Sequence, residues 1–131
     1  MKREIKFRGR EEDTREWYYG YYIGHVELDD KYGLITWYAG TDMYTIVYVD
    51  PETVGQYTGL KDNNGVEIYE GDVVECKSKS PFSLGRIIHH NIIWGTCCWW
   101  AEGTFFNLAE YLDYGPCEVM GNIHDNPELT K

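Results

Sequence analysis

The chain has 131 residues, the size of one domain, and its 43% hydrophobic and 26% charged fractions are those of a globular protein and exclude a disordered one. A formal net charge of −10 sets it against general binding to a phosphate backbone. No apolar run approaches the ~20 residues that cross a bilayer, which argues against a membrane partner. The opening MKREIKFRGR has no apolar stretch behind its basic residues. The expected location is therefore the cytoplasm, where Cys76, Cys97, Cys98 and Cys117 remain thiols.

Twelve Tyr, five Trp and four Phe, with fourteen Gly, tilt the composition toward strands and tight turns. In chain order, Ile5 and Phe7 alternate with Lys6 and Arg8, predicting a half-buried strand. Its charges suit an edge that resists further pairing, and it is also the one place where an anion could dock. A polar hairpin loop, Gly9–Glu16, leads to a strand over Trp17–Gly24. That strand puts Trp17, Tyr19, Tyr21 and Ile23 on one face and Tyr18, Gly20, Tyr22 and Gly24 on the other, the glycines marking a bend or a close backbone approach. After a polar segment, Glu27–Gly33, come a strand at Leu34–Tyr38, a turn at Ala39–Asp42 and a strand at Met43–Val49, ended by Asp50-Pro51.

Val54–Tyr57 and Val66–Tyr69 flank Lys61-Asp62-Asn63-Asn64-Gly65, a hairpin signal because Asn-Gly tolerates positive φ. Glu70-Gly71-Asp72 is a second tight turn, before a strand at Val73–Lys77. A polar loop to Ser83 precedes a long β segment, Leu84–Trp94, a turn at Gly95-Thr96 and a strand at Cys97–Glu102. Asn107–Asp113 has helical spacing, Cys117–Met120 is the last strand, and Asn126-Pro127-Glu128 matches a short helix start.

Several phrases are more specific than turn chemistry requires. Thr53-Val54-Gly55-Gln56-Tyr57-Thr58-Gly59-Leu60-Lys61-Asp62, then Asn64-Gly65 and Ile68-Tyr69-Glu70-Gly71-Asp72-Val73-Val74, resemble the central signature of the YopX family. Ile5–Gly9 and Gly121–Leu129 are similar to that family's two ends. The resemblance spans the chain and implies a small, mostly β fold with a barrel-like or sandwich-like portion, encoded in bacteriophages and prophages. It implies no activity, because the family's function is uncharacterised. The shared phrases are rich in turn formers, Gly59, Gly65, Gly71 and Asp72, which argues for a shared shape and not a shared reaction.

Chemistry can be argued down class by class. No Cys-x-x-Cys pair is present, and the adjacent Cys97/Cys98 and His89/His90 point to opposite faces of a strand, so neither metal nor other cofactor is predicted. His25 and His124 bring no ligand partner at metal spacing. No nucleophile elbow or phosphate-cradling loop occurs, and among twenty-two acids carboxylate pairs arise by chance, so no catalytic residue is predicted. A stacking platform for single-stranded nucleic acid could draw on Tyr18, Tyr22, Trp37, Tyr38, Trp99 and Trp100, provided that the N-terminal strand, Lys77, Lys79 and Arg86 converge on one face. Aromatics on both faces of several strands exceed what one face of core needs, which favours an interface.

The expectation is one mainly β domain over residues 1–131, partly an SH3-like barrel or sandwich-like, with one or two short helices. It is a non-enzymatic accessory protein that acts by self-association, as a homo-oligomer, or by binding a host or phage protein. The alternative is a weak binder of single-stranded nucleic acid, disfavoured by the acidic charge. Trp17, Tyr19, Tyr57, Trp94 and Trp99 are the candidate core or interface aromatics.

Overall fold

The computed structural model describes residues 4–25, 33–38, 44–77, 87–95, 98–102, 108–114 and 116–130. The expected turn at 39–42 and the polar stretches at 27–32 and 78–83 lie outside them, as do Thr96, Cys97, Lys79, Arg86 and the side chains of Cys76, Lys77, His25, His89 and His90. The fold is mainly β. Its strands are β1 (Phe7–Arg10), β2 (Trp17–His25), β3 (Gly33–Tyr38), β4 (Tyr44–Lys61), β5 (Glu67–Tyr69), β6 (Asp72–Lys77), β7 (Ile87–Gly95), β8 (Cys98–Ala101) and β9 (Cys117–Asn122). One short helix, α1 (Leu108–Tyr114), and a 3-10 turn at Pro127–Thr130 accompany them. One sheet runs β1-β2-β3-β4-β5 and the other β8-β7-β6-β9. The chain forms two compact units, Met1–Tyr57 and Thr58–Lys131, and β4 contributes to both.

In the first unit β2 pairs antiparallel with β1 and β3, β3 with β4, and β4 with β1, so four strands close on themselves. The basic strand β1 is therefore no edge, contrary to the sequence expectation: it is paired on both sides. Closure turns one face of each strand inward. Phe7, Tyr22, Ile35 and Val49 take that face; Ile35 and Val49 are fully buried, and the Phe7 and Tyr22 rings lie 5.8 Å apart. Glycine makes the room. A Cβ on Gly9 would stand 2.6 Å from Val49 Cγ2, and one on Gly20 would overlap the Thr36 carbonyl oxygen, so β2 meets β3 at a backbone approach that no side chain permits.

The strand expected to end at Asp50-Pro51 instead continues to Lys61. Arg10 pairs with Asp50 and Arg8 with Gly55, and the register slips between them, leaving a bulge around Pro51. A proline there forfeits no ladder bond, because bulged residues are outside the ladder. Side chains take over the bonding. Asp50 Oδ1 accepts the Glu52 N–H at 3.0 Å, the Thr53 hydroxyl donates to the Asp50 carbonyl at 2.6 Å, and the same hydroxyl oxygen accepts the Arg10 N–H at 2.9 Å. At the other end Ile5, expected within the first strand, precedes it and is exposed.

In the second unit the core is Ile68, Val74, Ile92, Trp99, Ala101, Leu108 and Cys117, with Leu60, Leu112 and Val119 against it. The turn after β4 is held by a buried carboxylate. Asp62 Oδ1 accepts the N–H groups of Asn64 and Val66 at 2.8 and 2.9 Å, and Oδ2 accepts that of Val119 in β9 at 2.9 Å. Gly65 closes the turn at φ +80°, and Gly59 and Gly71 adopt +84° and +87°, left-handed values that side chains resist. Asp72, buried, accepts the Tyr69 N–H at 2.7 Å across the Gly71 turn.

One chemical expectation is corrected. Cys117 is disulfide-bonded, not a free thiol, and the β6–β9 register sets Cys76 opposite it. Directly opposed residues of antiparallel strands have Cα atoms about 4.5–5.5 Å apart, within the span that a disulfide bridges. Cys98 keeps its thiol.

Two substitutions test this description. Asp62→Ala strands three backbone N–H groups and should destabilise the protein by about 2–4 kcal/mol, seen as a lower urea midpoint. Gly20→Ala pushes a methyl into a backbone carbonyl and should cost about 2–3 kcal/mol, whereas a midpoint within error of wild type would contradict the close approach of β2 and β3.

Candidate functional site

Once β1 to β4 close, the alternate residues of β2, β3 and β4 face outward. The registers Tyr21↔Thr36↔Ile46 and Leu34↔Tyr48 place these residues in two rows across three strands. Tyr19 and Ile23 flank Tyr21 at period two on β2, and Tyr38 follows Thr36 on β3. Gly24, at φ +56°, lies in the register irregularity between Tyr22 and His25, where β2 leaves the regular ladder. Tyr19, Tyr21, Ile23, Tyr38, Ile46 and Tyr48 are each 48–63% exposed, while Leu34 and Thr36 between them are 7% and 8% exposed. On this face the large side chains of β2 and β4, with Tyr38 of β3, stand exposed beside the covered Leu34 and Thr36. The outward positions Tyr19, Tyr21, Ile23, Leu34, Thr36, Tyr38, Ile46 and Tyr48 carry no acid and no base, and Asp50 follows Tyr48 at the next outward position of β4, paired with Arg10 of β1.

Cations border this face on β1. Arg8 is opposite Tyr19 and Arg10 opposite Trp17. Each is already engaged: the Arg8 and Arg10 guanidinium carbons lie 4.6 and 6.0 Å from the Trp17 ring centre, and Lys6 pairs with Glu4 at 3.3 Å while lying 5.3 Å over Tyr57. Cation–π contact of this kind holds a charge on a ring instead of leaving it to search for a phosphate. Beyond Arg10 the connecting loop is acidic, with Glu11, Glu12, Asp13 and Glu16. On the opposite face of β2, Tyr18 stacks on Trp37 at 5.7 Å and donates its hydroxyl hydrogen to Glu16 Oε2 at 2.9 Å. That hydrogen bond first, then desolvation and the Glu16 and Glu11 charges, raises the Tyr18 phenol above its ordinary value near 10.

The five aromatics singled out in the sequence do not converge. Tyr57 and Trp99 are buried, Trp17 is half-buried, and Tyr19 and Trp94 are exposed. Trp17 and Tyr19 share the outward side of β2; Trp94 and Trp99 meet edge to face at 4.9 Å in the second unit. The face is completed by Tyr38, which the sequence offered only as a base-stacking candidate, and by Ile46 and Tyr48, which it did not single out. Alternation gave a signal on β2 but none on β4, which is apolar on both sides. Among the described residues no three His, Cys, Asp or Glu side chains converge as a metal ion requires, and no helix is long and apolar enough to cross a membrane.

The first unit is thus a small closed set of antiparallel strands whose outer face is rich in exposed tyrosine. The chain belongs to the YopX family, whose model, described as YopX protein, matches residues 6–131. No curated protein matches it. Among solved structures it is similar to the crystal structure of protein EF1440 from Enterococcus faecalis, with a TM-score of 0.63 and 24% identity over 99% of this chain and 100% of that one. At that identity the likeness speaks for the fold alone.

The Tyr18–Glu16 contact is open to a direct check. A raised phenol pKa means that the neutral form is favoured in the folded state, so this contribution is complete below the ordinary value and is lost as pH rises through the raised one. In a 13C-tyrosine NMR titration Tyr18 should titrate last among comparably exposed tyrosines, and Glu16→Gln should bring it down toward its ordinary value. An unchanged Tyr18 curve in the variant would remove Glu16 as the cause.

Proposed function

We propose that this protein acts by binding another protein surface through the outward face of β2, β3 and β4, without catalysing a reaction, as an accessory protein of a phage or prophage in the host cytoplasm. A single observation carries the reading: six large apolar side chains of the described residues share one exposed face. Contiguous exposed apolar patches of several hundred Å² mark interaction sites, and Tyr is enriched in interface cores because it contributes area at low entropic cost.

Single-stranded nucleic acid is the second reading, favoured by Lys6, Arg8 and Arg10 beside the tyrosines. It is the weaker one. A stacking platform needs cations that reach a backbone, and here they are spent on Trp17, Tyr57 and Glu4 next to an acidic loop.

The test is a pull-down with the tagged full chain from a lysate of its bacterial host that also expresses the untagged chain. The expected result is capture of protein that survives nuclease and is lost in a Tyr21→Glu, Tyr48→Glu double variant with an unchanged circular dichroism spectrum. Equal capture by wild type and variant, or capture abolished by nuclease, refutes the reading.

A further inference from the structure

Independently of that face, we infer that Asn64 is a covalent modification site: attack by the Gly65 backbone nitrogen converts its side-chain amide to a carboxylate, and the Asp62 turn holds the reaction back in the folded protein. The chemistry needs only water. The Gly65 nitrogen bonds to Asn64 Cγ, the Cγ–Nδ2 bond breaks, and the amide leaves as ammonia, taking the proton that the Gly65 nitrogen gives up. Water then opens the resulting five-membered succinimide at either carbonyl, leaving aspartate or isoaspartate with no change of oxidation state. A side chain on the attacking residue obstructs ring closure, and glycine has none. Of the chain's asparagines Asn64 alone is followed by glycine; Asn63, Asn91, Asn107, Asn122 and Asn126 precede larger residues. Asn64 and Gly65 are both exposed, and nothing stands within 4 Å of where a Gly65 Cβ would be.

The fold sets this pair in a poor posture for reaction. The Gly65 N–H donates to the Asp62 carbonyl at 3.1 Å, and the Asp62 N–H donates to the Val66 carbonyl at 2.8 Å. Among the described residues Arg15 is the one non-glycine with positive φ. Asn63 and Asn64 therefore occupy a type I turn, in which the second central residue has ψ near 0°. That angle brings the Gly65 nitrogen into line with Asn64's own nitrogen, whereas the ring needs it in line with Asn64 Cβ. Closing the ring requires the peptide plane to rotate and the bond to the Asp62 carbonyl to break. The Asp62 carboxylate opposes that rotation, Oδ1 accepting the Asn64 and Val66 N–H groups and Oδ2 the Val119 N–H. Reaction thus proceeds from a locally opened turn, at a rate set by how often it opens.

Conversion removes its own restraint. Either product puts a negative charge beside the Asp62 carboxylate, in a chain already at −10. Isoaspartate also routes the main chain through the former side chain. The added carbon atom separates the amides of residues 64 and 65, so that Oδ1 no longer bridges the N–H groups of 64 and 66 in one geometry. The clasp that is lost is the one that reaches Val119 in β9. The Asn64-Gly65 turn is a one-way timer, advancing slowly while the turn is closed and quickly whenever it opens.

The test incubates the full chain at physiological temperature and mildly alkaline pH, with and without denaturing urea, and maps its peptides by a fragmentation that separates isoaspartate from aspartate. The expected product lies at Asn64, includes isoaspartate, and forms at least about tenfold faster in urea than in the native protein. Asn64→Gln should abolish it, because the longer side chain would have to close a larger ring. In Asp62→Ala the native rate should rise toward the rate in urea. Because that variant could fail to fold, hydrogen exchange at the wild-type Gly65 amide is the second measurement. The native rate should follow the rate in urea multiplied by the open fraction that exchange reports. Wild-type protein enriched in the product should exchange faster at the Val66 and Val119 amides. An intact Asn64 in urea, equal rates with and without urea, or product arising first at another asparagine overturns the inference. So does a folded Asp62→Ala variant with no acceleration, a native rate that does not follow the open fraction, or unchanged Val66 and Val119 exchange after conversion.

Discussion

Backbone pairing of β1 on both sides is the constraint on which the first unit depends. A strand of four residues, Phe7–Arg10, is too short to stabilise a sheet by its own burial, yet each of its N–H and C=O groups needs a partner once water is excluded. Pairing with β2 on one side and β4 on the other answers that need and closes four strands into a ring. The closure is imperfect at one point, where β4 bulges at Pro51, and there the Thr53 hydroxyl accepts the Arg10 N–H in place of a carbonyl. The interior of so small a ring is filled by Phe7, Tyr22, Ile35 and Val49, with Gly9 and Gly20 admitting the neighbouring strands. With that face turned inward, strand alternation sends the residues between them out.

What is sent out is chemically selective. Tyrosine dominates the outer face, and its hydroxyl can meet water while the ring covers apolar surface. The isoleucines at 23 and 46 have no such compromise: at about half exposure each leaves apolar area in contact with water at roughly 25 cal/mol per Å². Contact with another surface would recover that free energy. The same pattern would be unremarkable on a single residue. Its weight comes from six side chains arranged on one face by strand register.

The hairpin around Asn64-Gly65 was legible because the turn dipeptide is local chemistry: Gly65 takes a positive φ, and the short Asp62 side chain bonds the N–H groups nearest to it in sequence. Its bond to the Val119 N–H, 57 positions away, carried no local sign. Pro51 misled because a proline ends a strand only if its missing N–H is needed, and whether it is needed depends on the partner's register. The outer face was half legible. Alternation assigned Tyr19, Tyr21 and Ile23 to one side of β2, but which side faces out follows from ring closure, a contact between β1 and β4 about forty positions apart in sequence. On β4 the alternation itself fails, since Ile46 and Val47 are both apolar. Cys76 and Cys117 were equally silent, being neighbours only through the β6–β9 register.

Charge and aromatic surface act at different ranges here, and that separation bears on what the face can select. Electrostatic repulsion from a chain at −10 extends over roughly 8 Å at physiological ionic strength, whereas dispersion and hydrophobic contact require surfaces to touch. An acidic polymer such as nucleic acid is therefore slowed before it can reach the tyrosines, and the cations that might have drawn it in are turned onto Trp17 and Tyr57. A partner whose charges lie away from its contact patch meets a weaker barrier, because the nearest opposing charges stand off at the rim. Under the proposed reading such an arrangement would disfavour acidic partners by charge at a distance and leave the choice among the others to fit at contact.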